Sequence, residues 1–331
     1  MSTNKKIAVL GGGSWATALV KILSNNTTEL VWWMRNQDAV NYIKETKHNP
    51  NYLSSVPINT QIVNVTSDLK TACEQADIIV LAVPSAFVHE TLSSVKINLS
   101  SKVFFSAVKG IIPERNQIVG EYIQNEYHVP LKQIGVITGP CHAEEVALER
   151  LSYLTIACET NSIADFMAHQ LRCRYIKTTI SDDIYGTEYS AVLKNVIAVS
   201  AGIAHGLGYG DNYLSVLISN AIREINRFVD AIHPISRDIK DSAYLGDLLV
   251  TAYSKFSRNR MFGTYIGKGY SVKMAQMDMK MVAEGYYAVK CIKEINKDLE
   301  VNMPITDAVY AIVYEKMSPR IEFKLLSEVL N

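Results

Sequence analysis

The segment Leu10-Gly11-Gly12-Gly13-Ser14-Trp15-Ala16 closes a short apolar run, Ile7–Leu10, and opens a stretch of helical spacing. In that strand-to-helix context the G-x-G-x-x-A pattern suits a dinucleotide. Gly11 allows a tight turn, Gly13 lets the backbone approach a pyrophosphate, and Ala16 permits close packing of helix on strand. The amides that start the helix then face phosphate charge, a glycine turn without a ligand being the plain alternative. After the next β-branched run the chain reads Trp33-Met34-Arg35-Asn36, where an enzyme preferring NAD usually places Asp or Glu for the ribose 2′-hydroxyl. Arg35 suits the 2′-phosphate of NADP, a place over the adenine, or a solvated loop. NADP(H) is therefore the first choice of cofactor and NAD(H) the second.

Further chemistry-bearing groups follow other strand candidates. Val83-Pro84-Ser85 and Val108-Lys109-Gly110 lie where open α/β sheets bind ligands, at the carboxyl ends of strands. An ammonium there, Lys109, is suited to a substrate phosphate or hydroxyl, or is a spare surface lysine. A third exit, Thr138-Gly139-Pro140-Cys141-His142-Ala143-Glu144-Glu145, again turns into a helix start. Cys141 and His142 invite a thiol–imidazole dyad, but sequence neighbours seldom point at each other and no third group is identifiable. A loop that closes over a nicotinamide is preferred. The apolar helix Tyr189–Ala198 is interrupted by Lys194-Asn195. Burying an unpaired ammonium is costly, so Lys194 is expected to face a polar cleft or to snorkel at the helix surface. Leu245-Gly246-Asp247 supplies an acid, and Ser257-Arg258-Asn259-Arg260 supplies donors suited to a phosphate.

The elements that must position these groups fall into two textures. From Lys5 to about Thr179, β-branched runs alternate with helical patterns, the signature of a parallel-rich sheet flanked by helices. The strand candidates are Ile7–Leu10, Glu29–Trp33, Gln61–Val65, Ile78–Val83, Val103–Val108, Ile134–Thr138, Leu154–Cys158 and Tyr175–Thr178. Near Asp182 long amphipathic patterns take over, broken by the glycine clusters Gly206–Gly210 and Gly263–Gly269. The expected fold is α/β: a Rossmann-like NAD(P)-binding domain over residues 1–185 and an all-helical substrate-binding and catalytic domain over residues 186–331.

Bulk properties narrow the partners. Lysine plus arginine, 33, balance aspartate plus glutamate, 33, so there is no one-signed field to draw nucleic acid or anionic lipid. An anionic ligand needs a local cation cluster. No apolar run is expected to cross a bilayer. The start of the chain is polar, so no secretion leader is expected. The scattered Cys73, Cys141, Cys158, Cys173 and Cys291 lack metal-ligand spacing and fit reduced thiols in a cytoplasm, with no metal expected. A homodimer is the default assembly.

Taken together, the motifs resemble the NAD(P)-dependent glycerol-3-phosphate dehydrogenases of the bacterial type. The similar segments are G-G-G-S-W-A-T-A-L, A-V-P-S, V-K-G, G-P-x-x-A-E-E, L-K-N-V-I-A, G-L-G-Y-G-D-N, L-G-D-L, S-R-N-R-x-F-G, V-A-E-G-Y and M-P-I-T, in family order over nearly the whole chain. The resemblance implies that Lys194 is the general acid and base for dihydroxyacetone phosphate and sn-glycerol 3-phosphate, oriented by Asp247 and Lys109. It also implies that Ser257, Arg258 and Asn259 hold the substrate phosphate and that Gly139 and Cys141 touch the substrate. The implied cofactor contacts are Gly11, Gly13, Ser14, Trp15, Arg35, Lys109, Ala143, Arg258, Val282 and Glu284. The chain departs from the family at Ala16, a usual glycine, at Cys141-His142, a usual hydroxyl residue and Phe, and at Asn220-Ala221, a usual Arg-Gly pair. Two other readings are a β-hydroxyacid dehydrogenase or ketopantoate reductase, and a non-catalytic NADPH-sensing module. The Ser257-Arg258-Asn259 cluster speaks against a carboxylate substrate, and the joint presence of Lys194 and Asp247 against a sensor.

Overall fold

Runs such as Ile-Ala-Val-Leu and Ile-Ile-Val-Leu are buried along their whole length, as parallel strands must be when helices cover both faces of their sheet. In the computed structural model, which describes residues 5–279 and 283–331, they form strands of one eight-stranded sheet. Its strands are β1 (Ile7–Leu10), β2 (Leu30–Trp33), β3 (Val63–Thr66), β4 (Ile78–Leu81), β5 (Val103–Ser106), β6 (Ile134–Thr138), β7 (Ser152–Cys158) and β8 (Ile176–Ser181). The order β3-β2-β1-β4-β5-β6-β7-β8 places the reversal of winding beside β1. All neighbours pair parallel except β6 with β7. The helices of this part are α1 (Ser14–Leu23), α2 (Gln37–Thr46), α3 (Leu69–Gln75), α4 (Val88–Ser93), α5 (Val119–Tyr127), α6 (Ala143–Ala147) and α7 (Asn161–Leu171).

The chain continues as α8 (Ile184–Leu207), α9 (Asp211–Ile232), α10 (Asp247–Tyr253), α11 (Arg258–Gly267), α12 (Val272–Asp278), α13 (Glu284–Leu299), α14 (Pro304–Val313) and α15 (Pro319–Val329). Two compact units result: a sheet unit, up to Val108 together with Val119–Ile184, and a helical unit, Lys109–Ile118 together with Tyr185–Asn331. The segment Lys109–Ile118 joins the helices because Ile111 and Ile118 bury in their core, alongside Phe228, Phe262 and Phe323.

Helix α8 differs from expectation in one respect. By length and composition it is apolar enough to cross a bilayer, yet 83% of its most apolar window is buried inside the protein, as in the core helix of a globular unit. It also brings glycine to an unexpected use. Gly263 and Gly267 lie within α11, where they were expected to break the pattern. A Cβ on Gly263 would stand 2.0 Å from the Val199 carbonyl oxygen, and one on Gly202 would stand 2.0 Å from that of Arg260. The glycines let α8 and α11 meet backbone to backbone.

The start of α14 is fastened by a distant carboxylate. Glu224, on α9 and 1% exposed, accepts from the Ile305 N–H at 2.8 Å, the Thr306 N–H at 2.9 Å and the Thr306 hydroxyl at 2.6 Å. These are donors that a helix N-terminus leaves unmet, and Met303 offers no cap of its own. Glu224→Ala should cost about 2–4 kcal/mol in urea unfolding, since it strands buried donors. Burial pushes the carboxyl up to about 7 against the lowering effect of these donors. The folded state therefore holds this proton more tightly than the unfolded one, and the contribution of Glu224 falls as pH rises through about 7. The loss should be larger at pH 5 than at pH 8; an equal loss at both would show that the carboxyl does not titrate in this range.

Candidate functional site

In the sheet unit the glycine loop leaves β1 at the switch point. Gly11 has φ +142°, and a Cβ there would stand 2.4 Å from the Ala82 carbonyl oxygen, so both conformation and space demand glycine. Gly13 is different. It is the N-cap of α1 in extended backbone (φ −81°, ψ −176°) with no side-chain cap, and among the described residues no atom beyond its chain neighbours lies within 4 Å of where its Cβ would be. An open space in front of an uncapped helix N-terminus fits a pyrophosphate, whose charge the first-turn amides attract. Ser14 and Trp15 are the first two residues of that helix.

The loop's carbonyls are tied from inside. Trp32 Nε1 donates to the Gly11 oxygen at 2.7 Å, Asn49 Nδ2 to the Gly12 oxygen at 3.1 Å and Thr17 Oγ1 to the Gly13 oxygen at 2.9 Å. Sequence reading missed all three donors. Asn49 lies in an irregular stretch after α2, and Thr17 and Trp32 stand inside a motif and a strand candidate with nothing to mark either as a donor.

Arg35 is exposed just beyond β2, followed by Asn36, whose side chain caps α2 through Asp38 N and Ala39 N. The Arg35 guanidinium stands 6.0 Å from the ring centroid of Phe87, a residue of the short helical turn Ser85–Phe87 after β4. Phe87 was a second omission; its only signal was its place just past the Val83-Pro84-Ser85 exit. At the end of β6, Gly139 has φ +111°, and a Cβ there would come within 2.8 Å of the Tyr153 carbonyl oxygen. Cys141 is buried and Ala143 opens α6, which packs on α1. The five cysteines form no disulfide among the described residues.

The helical unit gathers Lys109, Lys194 and Asp247. A single π-helical turn, Ser242–Gly246, delivers Asp247 to the first position of α10. Lys194 Nζ lies 2.5 Å from Asp247 Oδ2, and Lys109 Nζ lies 3.3 Å from the same oxygen. Lys194 and Asp247 are 3% and 1% exposed, whereas the Lys109 side chain keeps 21%. Lys194 therefore does not snorkel; it is buried and paired. Burial drives its ammonium down to about 7; the Asp247 carboxylate resists this, and the Lys109 charge reinforces it. Burial alone would raise the Asp247 carboxyl, but the Lys109 and Lys194 ammoniums outweigh it and hold the group below its usual range. The result is a fixed carboxylate beside an amine poised to carry or release a proton near neutral pH.

An amide chain sets the frame. Asn195 Nδ2 donates to the Lys109 carbonyl at 2.5 Å, Asn259 Nδ2 to Asn195 Oδ1 at 2.8 Å, and the Gly285 N–H to Asn259 Oδ1 at 2.9 Å. Of the three residues expected to hold a phosphate, Ser257 caps α11 through Arg260 N, Arg258 is exposed at its first position, and Asn259 is buried in the amide chain. Glu284 opens α13. Val282 lies outside the described residues. Asn195 is a further residue whose structural part the sequence did not reveal, since its partners lie 64 and 86 positions away.

Comparisons with known proteins give the family. Residues 6–164 match the family described as NAD-dependent glycerol-3-phosphate dehydrogenase N-terminus, and residues 183–324 match its C-terminus. A glycerol-3-phosphate dehydrogenase [NAD(P)+] of an Exiguobacterium species is 36% identical over 323 residues, covering 97% of this chain and 94% of that protein. The protein of the same name from Staphylococcus aureus is 34% identical over 318 residues, covering 95% of each. The crystal structure of glycerol-3-phosphate dehydrogenase from Coxiella burnetii superposes with a TM-score of 0.90 at 27% identity, over 98% of this chain and 99% of that one. The matches favour this reading over a hydroxyacid dehydrogenase, a ketopantoate reductase or a sensor. This chain belongs to the NAD(P)-dependent glycerol-3-phosphate dehydrogenases.

Proposed function

We propose that this chain catalyses the reversible, NAD(P)H-dependent reduction of dihydroxyacetone phosphate to sn-glycerol 3-phosphate, the backbone precursor of glycerophospholipids. The observation that carries the reading is the buried Lys194–Asp247–Lys109 cluster, in which one ammonium is held near neutral pKa. When bound, the reduced nicotinamide supplies the hydride. Lys194 Nζ gives its proton to the substrate carbonyl oxygen as the C2 centre becomes a carbinol, and takes it back in the oxidative direction. Asp247 holds the Lys194 amine in place, and Lys109 orients the substrate oxygen. Ser257, Arg258 and Asn259 hold the phosphate, while Gly139 and Cys141 border the substrate.

For the cofactor, Gly11, Gly13, Ser14 and Trp15 hold the pyrophosphate. Arg35 holds the adenosine end, with Lys109, Ala143, Arg258, Val282 and Glu284 completing the contacts. The enzyme works as a homodimer in the cytoplasm, a reducing compartment consistent with five cysteines outside any disulfide.

The test is the oxidation of NADPH and NADH, followed by absorbance, on adding dihydroxyacetone phosphate. Turnover with this ketone is expected; turnover with ketopantoate alone would sink the assignment. Because Arg35 is exposed and suited to a 2′-phosphate, Arg35→Ala should raise the KM for NADPH about tenfold or more, the worth of one charge-assisted hydrogen bond, and that for NADH less than about threefold. Equal changes for both would assign Arg35 to the adenine instead.

A further inference from the structure

Hydrogen bonds made behind the glycine loop decide what its front can bind. In a trans peptide unit the carbonyl and the N–H point in opposite directions, and no cis bond occurs among the described residues. Where Trp32 draws in the Gly11 oxygen, the Gly12 N–H is directed outward. Where Asn49 draws in the Gly12 oxygen, the Gly13 N–H follows, and where Thr17 draws in the Gly13 oxygen, the Ser14 N–H follows. Each of these three successive N–H groups thus points away from its own tied carbonyl, beside the open space at Gly13.

Asn49 is the centre of this arrangement. It is 2% exposed and its side chain is fully engaged: Oδ1 accepts from Asn51 N at 3.0 Å and Tyr52 N at 3.2 Å, while Nδ2 donates to the Gly12 oxygen and to Thr17 Oγ1 at 2.9 Å. Two backbone donors on Oδ1 settle which way the amide points. Thr17, accepting from Asn49, donates its own hydroxyl hydrogen bond to the Gly13 oxygen, so Asn49 acts on two of the three carbonyls, one directly and one through Thr17.

We propose that Asn49, with Thr17 and Trp32, is a positioning residue for the cofactor: it holds the glycine loop with its amides turned outward, ready for the pyrophosphate. This rests on the reading that the loop holds that group. Preorganised donors bind without reordering the backbone, so loss of a back-side bond is felt as weaker cofactor binding.

The experiment titrates NADPH fluorescence on each folded variant and measures KM and kcat. Thr17→Val keeps the shape and removes the donor to the Gly13 oxygen together with the acceptor for Asn49, and Trp32→Phe removes one donor along with part of a buried ring; each should weaken NADPH about 3- to 10-fold, the worth of one tied carbonyl. Asn49→Ala, which deletes the two donated bonds and the two that Oδ1 accepts, should weaken it about 10- to 100-fold. Thr17→Ser should recover binding, and adding Thr17→Val to Asn49→Ala should cost less than the two separate losses combined, because the bonds are coupled. The KM for dihydroxyacetone phosphate and kcat at saturating cofactor should stay within about threefold, a split that general loosening of the fold would not produce. Gly13→Val separates the two layers of the argument. If it binds NADPH like the parent, the loop is not the cofactor site and both readings fall. If it abolishes binding while the Asn49, Thr17 and Trp32 variants remain within twofold of the parent, the positioning role alone is overturned. Should Asn49→Ala not fold, Thr17→Val and Thr17→Ser decide by the same criterion.

Discussion

Lys194→Ala is expected to lower kcat for dihydroxyacetone phosphate reduction at least about a hundredfold, the usual worth of a positioned general acid. NADPH affinity should change less than about threefold, since in the proposed mechanism this ammonium serves the ketone rather than the nucleotide. The loss follows from burial: Lys194 is 3% exposed, so no water stands ready to replace its proton, and Asp247 keeps Lys109 as a partner and is not left as an unpaired charge. The same geometry sets the sign of the pH dependence. Because the amine is held at about 7, kcat/KM for reduction should fall as pH rises through that value and the protonated form disappears. For oxidation of glycerol 3-phosphate, which requires the neutral amine, kcat/KM should rise through the same range. Lys194→Arg keeps a cation that does not deprotonate, so it should lose the oxidative limb along with most of its activity. A Lys194→Ala enzyme within tenfold of the parent would remove Lys194 from the chemistry.

What could be read from the amino acids depended on how local the cause was. The central strands β1, β2, β4, β5 and β6 were legible because they are buried along their whole length as largely apolar runs, whereas the edge strands β3 and β8 showed only β-branched residues among polar ones; the turn at Gly11 announces itself through glycine spacing. Short helices such as α3 and α4 span too few turns to show a period, and they went unread. The glycines of α11 were read as breakers because a close helix crossing has no one-dimensional signature; only the Val199 oxygen on another helix explains Gly263. The cost of a charge inside an apolar helix made Lys194 stand out. That Asp247 would receive both lysines, however, needed three segments to meet that lie 138 positions apart at their ends. Asn49 is the extreme case. Its neighbours Asn51 and Tyr52 make a local turn that looks like any loop, and its functional bonds run to residues 32 and 37 positions earlier.

Two glycines of one motif should respond to substitution in opposite ways. At Gly13 the backbone is extended and its Cβ direction is empty, so Gly13→Val should alter unfolding stability by no more than about 1 kcal/mol, the order of an N-cap exchange. Its side chain would fill the space that fits a pyrophosphate, so NADPH and NADH should both bind at least about a hundredfold more weakly, as when a buried polar cradle loses its ligand contacts. At Gly11 the order reverses. A Cβ would collide with the Ala82 carbonyl and force an unfavourable φ, so Gly11→Ala should destabilise the sheet unit itself by about 2 kcal/mol or more. Calorimetry and cofactor titration on the pair separate fold from site. Loss of stability at Gly13 with binding intact would mean that the open space serves folding, and that the helix N-terminus behind it holds no phosphate.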